Sequence, residues 1–246
     1  MTERLQNTTF FPPVETALAD PNGLLAMGGD LSMARLLDAY RHGIFPWFNP
    51  GEPILWWCPD PRMVLVPGEV RVTRSLARRL RNGGFELRVD SAFVEVMRAC
   101  AAPRPSPGRG GDGVPAVEAQ PAEEGSGTWI SPMMIAAYSR LFDAGYAHSV
   151  ETWRDGRLVG GLYGVAIGRM FYGESMFSRE PDASKVALVR LARQLQRWEF
   201  GLIDCQMETP HLASMGARTL PRTAFTARLS ELVNLPHRSG PWTFDT

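Results

Sequence analysis

Asp204, Gln206 and Glu174 are the side chains of this sequence best suited to chemistry. Residues 202–206 read Leu-Ile-Asp-Cys-Gln, an alternating strand pattern. Side chains two apart on a strand point the same way, which puts Asp204 and Gln206 on one face. A carboxylate on an otherwise apolar strand is costly to bury without partners. It is either a hydrogen-bonded core group or half of a polar pair opening into a crevice. Glu174 lies in Phe-Tyr-Gly-Glu-Ser-Met-Phe, residues 171–177, a lone carboxylate among aromatic rings and sulfur. Desolvation would raise its pKa and a cationic ligand would lower it, so a ligand with a positive group suits it.

Two further clusters carry chemical meaning. Residues 43–58, GIFPWFNPGEPILWWC, crowd five aromatic rings around three prolines. Proline removes a ladder donor from strands and breaks helices, so this reads as a rigid aromatic loop. Such loops serve as platforms for flat ligands such as nucleobases, or as staples between packed units. Residues 60–88 hold seven arginines against three acids. Within them, TRSLARRLRNGG reads as a short helix capped by Thr73 and stopped by Gly83. Arg74, Arg78 and Arg81 recur at i, i+4 and i+7 and share a face, with Arg79 beside them. Most such runs are solvated faces, but no acid lies between Arg71 and Arg81, which strengthens the case for a polyanion partner.

Other chemistries lack their residues. The four histidines and three cysteines show no metal-ligand spacing, and the odd cysteine count argues against a disulfide scaffold. No GxSxG elbow or phosphate-binding P-loop occurs. Arg157-Leu-Val-Gly-Gly-Leu162 only half matches the loop that cradles pyrophosphate in acetyl-CoA enzymes, because Leu162 replaces its final small residue. Net charge is zero, so any basic surface must be local. The first residues carry acids and amides rather than an apolar h-region, so no signal peptide is expected. No apolar run approaches membrane-spanning length, and the expectation is a cytoplasmic protein without membrane contact.

These groups need elements to hold them. A turn-rich stretch at 20–29 precedes a helix capped by Ser32 or Asp30 and ended by Gly43, with Leu36, Leu37 and Tyr40 on one face. Strands are expected at 64–66 and 69–72. Residues 102–126 are rich in proline and glycine and poor in large apolar side chains, the composition of a flexible loop. Ser131-Pro132 starts a helix. Strands at 148–153 and 158–165 are joined by Arg154-Asp-Gly-Arg157, a hairpin signal. A third strand at 170–177, a long helix at 183–200, a strand at 201–207 and a last helical turn at 211–215 follow. The reading is an α+β chain: a small N-terminal α/β domain, residues 1–60, then a domain at 61–246. The latter has a central mixed, mostly antiparallel sheet with a strand–helix–strand crossover, the layout of GNAT-type acyltransferases.

Several strings, in order, carry a more specific likeness: DPNGLLAMGGDLSMARLLDAYRHGIFPWF, PILWWCPDPR, GTWIS, VGGLYGV, GESMFSR and LIDCQ. They resemble the leucyl/phenylalanyl-tRNA–protein transferases, aminoacyltransferases of the bacterial N-end rule, from about Phe10 to Phe225. The Pro/Gly-rich segment is longer than expected for that family. The resemblance implies a GNAT-like domain that uses aminoacyl-tRNA in place of acetyl-CoA. It implies transfer of Leu or Phe, and Met weakly, from Leu-tRNA or Phe-tRNA to proteins with N-terminal Arg or Lys, marking them for degradation. No cofactor or metal and a monomeric chain are implied. Gln206 would position the attacking amine, with Asp204 polarising it, and Glu174 would face the pocket or the basic acceptor residue. Trp47 and Trp129 would stack on the terminal adenosine. Leu162, Phe171, Leu191 and Leu195 would line the Leu/Phe pocket, and Arg74, Arg78, Arg79 and Arg81 would take tRNA phosphates. An acetyl-CoA-dependent N-acetyltransferase and a non-catalytic RNA-binding module are the alternatives. The incomplete pyrophosphate loop speaks against the first; the second leaves Asp204, Gln206 and Glu174 without a role.

Overall fold

A computed structural model describes residues 2–5, 10–102 and 129–245, so most of the expected loop at 102–126 lies outside the described residues. Two sheets organise the chain. The smaller comprises β1 (Glu3–Leu5), β2 (Leu24–Gly28), β3 (Phe45–Pro46) and β4 (Leu55–Trp57), in the order β1-β2-β4-β3. Helix α1 (Met33–Arg41) belongs to this part; the Ser32 hydroxyl caps it and Gly43, at φ 75°, turns the chain out of it. The aromatic stretch is therefore not wholly loop. Phe45 and Pro46 pair with Trp57 and Trp56 in a short hairpin, and Pro46 is tolerated because it sits on the edge strand β3.

The larger sheet is built from β5 (Arg62–Leu65), β6 (Glu86–Val89), β7 (Ala147–Arg154), β8 (Arg157–Ile167), β9 (Met170–Ser178), β10 (Leu202–Gln206) and β11 (Arg218–Leu220). Its order is β11-β5-β10-β9-β8-β7-β6. Every neighbouring pair is antiparallel except β9 and β10, the parallel pair joined by a crossover helix. The expected mixed, mostly antiparallel sheet is thus observed. The β7–β8 turn has Asp155 and Gly156 both at positive φ, the geometry that two-residue hairpins require. The half-matched pyrophosphate motif lies inside β8, paired on both sides, and forms no loop.

Five helices pack against this sheet or its margins: α2 (Arg74–Asn82), α3 (Phe93–Ala101), α4 (Pro132–Asp143), the crossover helix α5 (Ala183–Arg197) and α7 (Arg222–Val233). The one-turn α6 (Pro210–Ser214) precedes β11. Thr73 caps α2 and Ser131 caps α4, each hydroxyl accepting the N–H three residues on. The alternation of β8 separates two cores. Leu162 and Ala166 pack with the α5 side chains Val186, Leu188, Leu191 and Leu195. Tyr163 and Val165 pack with α3, α4 and, continuously, with Leu36, Tyr40 and Trp56 of the N-terminal part. Full burial of each α5 leucine contributes about 1.5–3 kcal/mol relative to exposure.

Sequence pattern and structure differ in three places. Residues 69–72 form no strand; Pro67–Glu69 is a 3-10 turn and Val70 leaves it. The chain does not finish with the turn at 210–214, because β11 and α7 follow and α7 buries Phe225, Leu229, Leu232 and Val233. Strand β6 and helix α3 fill residues 86–101, for which composition gave no assignment.

Candidate active site

The parting of β9 and β10 makes the site. The two pair only through Leu202↔Met170, Ile203↔Phe171 and Asp204↔Tyr172; beyond Tyr172, β9 continues to Ser178 without that partner. A cavity of about 140 Å³ opens beside the split. That is close to the roughly 150 Å³ of an apolar protein cavity able to admit benzene.

Two bulges aim the polar side chains. Tyr163 pairs with Ser175 and Gly164 with Gly173, so Glu174 is the extra residue of a bulge in β9. Asp204 pairs with Val64 and Gln206 with Met63, so Cys205 is the extra residue of a bulge in β10. A bulge re-aims the side chains that follow it. Phe171 and Met176, five apart, therefore line one cavity, as do Ile203 and Gln206, three apart; neither spacing fits an unbroken period of two. Gln206 takes a φ of 63°, rare for a residue with a side chain and costing on the order of 1–3 kcal/mol. The bond from its N–H to Asp204 Oδ1, 2.9 Å, offsets part of that cost.

The expectation that Asp204 and Gln206 both open into the crevice is corrected by the same geometry. Gln206 borders the cavity, whereas Asp204 is fully buried and is not among the lining residues. Arg62 holds it in a bidentate pair, Nε to Oδ1 at 2.8 Å and Nη2 to Oδ2 at 2.7 Å. Arg62 in turn lies over the rings of Phe45 and Phe225. Asp204 thus meets Gln206 at its backbone N–H, while the Gln206 amide meets Glu174.

Glu174 is the hub of the polar wall. Its Oε1 accepts from Tyr40 Oη at 2.7 Å and from Gln206 Nε2 at 3.1 Å, and its Oε2 accepts from Tyr138 Oη at 3.1 Å. The two tyrosine hydroxyls also touch each other. Helix α1, helix α4, strand β9 and strand β10 thus each send one group to a single point. Burial pushes the Glu174 carboxyl up to about 7, against the opposing pull of the two hydroxyls. Burial, then the nearby Glu174 charge, holds both tyrosines protonated well above their ordinary range. The carboxyl therefore exchanges its proton near neutrality while its neighbours remain donors.

The remaining wall is aromatic and aliphatic. Trp47 and Trp129, both half-buried, border the cavity with Leu162, Phe171 and Leu191. Trp47 is fixed by Trp57, whose Nε1 donates to its carbonyl at 2.7 Å and whose ring meets it edge-on. Leu195 is a correction: one turn beyond Leu191 on α5, it is fully buried in the core and absent from the lining. Leu188, Met176 and Leu212 line the cavity and were not singled out in the sequence. Leu188 lies one turn before Leu191 on the same helix, a spacing that could have found it; for Met176 the bulge hid the signal.

The arginine helix is set apart from the cavity. Arg74, Arg78 and Arg81 are exposed and make no hydrogen bond or ion pair among the described residues. Arg79 differs from them: it donates to Pro181 O and lies over Phe85, so packing employs much of its guanidinium.

An apolar pocket with tryptophan walls and a carboxyl raised to about 7 thus lies where a parallel strand pair parts. The comparisons are specific: the chain belongs to the leucyl/phenylalanyl-tRNA protein transferase family, a family of aminoacyltransferases. The family model matches residues 64–110 and 112–230, and the model of the family's N-terminal domain matches residues 29–60. A leucyl/phenylalanyl-tRNA–protein transferase of Thiobacillus denitrificans is 77% identical over all of both chains. One of Nitrosomonas europaea is 59% identical over all of this chain and 96% of its own. Among solved structures, a GCN5-related N-acetyltransferase from Kribbella flavida aligns over 76% of this chain and 59% of its own, at 13% identity and a TM-score of 0.33. No helix of the described residues is long and apolar enough to cross a membrane.

Proposed function

We propose that this chain transfers Leu or Phe, and Met weakly, from its tRNA to the N-terminal Arg or Lys of proteins. The product enters N-end-rule degradation. The protein works as a cytoplasmic monomer with a small domain up to residue 60 and an acyltransferase domain beyond it. The observation that supports this most is the joining of an apolar cavity, two tryptophans and the Glu174–Gln206 pair in one place.

The chemistry follows from those groups. The ester of an aminoacyl-tRNA is already activated, so no covalent enzyme intermediate is needed. The acceptor amine's lone pair attacks the ester carbonyl carbon. The bond from that carbon to the ribose oxygen breaks, its electron pair stays on the oxygen, and a proton from the amine ends there. One N–H of Gln206 Nε2 is bonded to Glu174, which orients the amide so that its oxygen can accept from the amine. That makes it a positioning group and not a base, since an amide has no useful basicity. Glu174, poised near 7, can take the proton that a cationic amine must lose before attack, and as a carboxylate it stabilises the positive charge that grows on nitrogen as the neutral amine attacks. Trp47 and Trp129 sandwich or flank the terminal adenine; Leu162, Phe171 and Leu191 receive the Leu or Phe side chain.

Single-turnover transfer from labelled Leu-tRNA to peptides beginning with Arg, Lys or Ala tests the reading. Product is expected with the first two and none with the third. Equal transfer to all three, or to none, would refute it.

A further inference from the structure

Helix α5 works on two faces. Leu188 and Leu191 wall the cavity, while Arg190, Arg193 and Arg197, at i, i+3 and i+7, share another face. Between that face and α2 runs a second groove, floored by Leu80, Phe85 and Leu87 and rimmed by Arg81, Arg190 and Arg193. Residues 190–197 contain no acid, and neither do residues 71–81, in a chain whose net charge is zero. Arg193 is exposed and, among the described residues, has no hydrogen bond or ion pair. Arg190 lies over Phe244 and donates, like Arg197, to the carbonyl of Asp245. The Asp245 carboxylate is bonded to Gln194 and Trp198 rather than to an arginine. Burial and the like charges of Arg197 and Arg193 pull the Arg190 guanidinium below its usual range. A fold that keeps mutually repelling arginines around an open groove is arranged for an anion with repeated charges.

We propose that the α2–α5 groove binds the sugar-phosphate backbone of the donor tRNA, with Arg81 and Arg193 contacting phosphates from opposite banks. This rests on the tRNA reading above and extends the interface from one helix to two. A terminal adenosine held in the cavity leaves the rest of the RNA outside it. Helix α5 borders both: Leu188 and Leu191 wall the cavity, and Arg190 and Arg193 rim the groove. Guanidinium groups without base-reading partners around them suit backbone contact, which positions the RNA but does not select its sequence.

The test is the affinity of full-length tRNA, measured by fluorescence anisotropy over a salt series. The proteins are wild type, Arg193→Gln, Arg81→Gln, the double variant and Arg228→Gln, an exposed arginine on α7 paired with Glu231. Each lost phosphate contact removes about 0.9 from the slope of log affinity against log salt, which weakens binding about 8-fold at 0.1 M salt. Arg193→Gln and Arg81→Gln should each show that loss, the double variant about 60-fold, and Arg228→Gln none. Circular-dichroism melting of Arg193→Gln should match wild type, since the side chain supports no other contact. Wild-type affinity and slope in Arg193→Gln would overturn the groove assignment while leaving the transfer reading intact. Failure of wild type to bind tRNA would overturn the transfer reading itself. Weakened binding of anionic vesicles by Arg193→Gln, with tRNA affinity unchanged, would give the groove to a lipid surface and defeat the proposal.

Discussion

Replacing Glu174 by Gln should change how stability depends on pH. The Glu174 carboxyl titrates near 7 in the folded chain and near its ordinary 4.5 when unfolded. An acid raised on folding gives its full stability below the unfolded pKa, where both states are protonated. That stability is lost as pH rises through the folded pKa. Two and a half pKa units correspond to about 3.4 kcal/mol in total. Between pH 5 and pH 8 the loss is about 2.5 kcal/mol, since part is already gone at pH 5. Glu151, also raised by burial, and His211 and His237, lowered by burial, contribute equally to both proteins and cancel in the difference. The assay is urea unfolding of wild type and Glu174→Gln at pH 5, 6, 7 and 8. The stability of wild type relative to the variant should fall by about 2.5 kcal/mol across that range. A flat difference would show that Glu174 is not desolvated as its three hydrogen bonds and burial require, and the proton-exchanging role would go with it.

Three other outcomes are expected. Trp47→Ala and Trp129→Ala should each weaken an aminoacyl-adenosine analogue by about 1–3 kcal/mol, read by calorimetry; a lower melting temperature with unchanged affinity would make the rings staples instead of platforms. Gln206→Ala should cut the single-turnover transfer rate with little change in tRNA affinity or melting temperature. Asp204→Asn should lower both rate and stability, because it leaves Arg62 buried and uncompensated at a cost of about 3–5 kcal/mol. The two should combine non-additively, as Asp204 acts through the Gln206 backbone. Leu191→Phe adds bulk to the wall of a small cavity, so kcat/KM for Phe-tRNA should fall about 10-fold or more relative to Leu-tRNA; an unchanged ratio would remove Leu191 from the selective surface.

What could be read from the sequence was local. Thr73, Ser131 and Ser32 announced helix starts because a hydroxyl beside a helical run has few other uses, and Asp155-Gly156 announced a hairpin because both residues accept positive φ. The cavity's tryptophans, Leu162, Phe171, Leu191, Glu174 and Gln206 were all legible as site candidates in the sequence, though Trp129, Leu162, Phe171 and Leu191 only through the resemblance. What escaped depended on register. Bulges at Glu174 and Cys205 shift side chains between faces, and nothing in an alternating pattern marks where the count slips. That slip hid Met176, left Asp204 off the cavity that Gln206 borders, and made period-two reasoning fail at the residues nearest the chemistry. Leu195 failed for a different reason: one turn of helix separates a pocket wall from the core behind it. The strand β3 was hidden by Pro46, whose missing donor matters less on an edge.

The most direct test of the account is a crystal structure with a non-hydrolysable leucyl- or phenylalanyl-adenosine bound. The adenine is expected against Trp47 and Trp129, the amino-acid side chain against Leu162, Phe171 and Leu191, and the scissile carbonyl within reach of Gln206. An analogue seated elsewhere, or one whose side chain points away from the cavity between β9 and β10, would contradict the claim that this split is where the aminoacyl group is held and transferred.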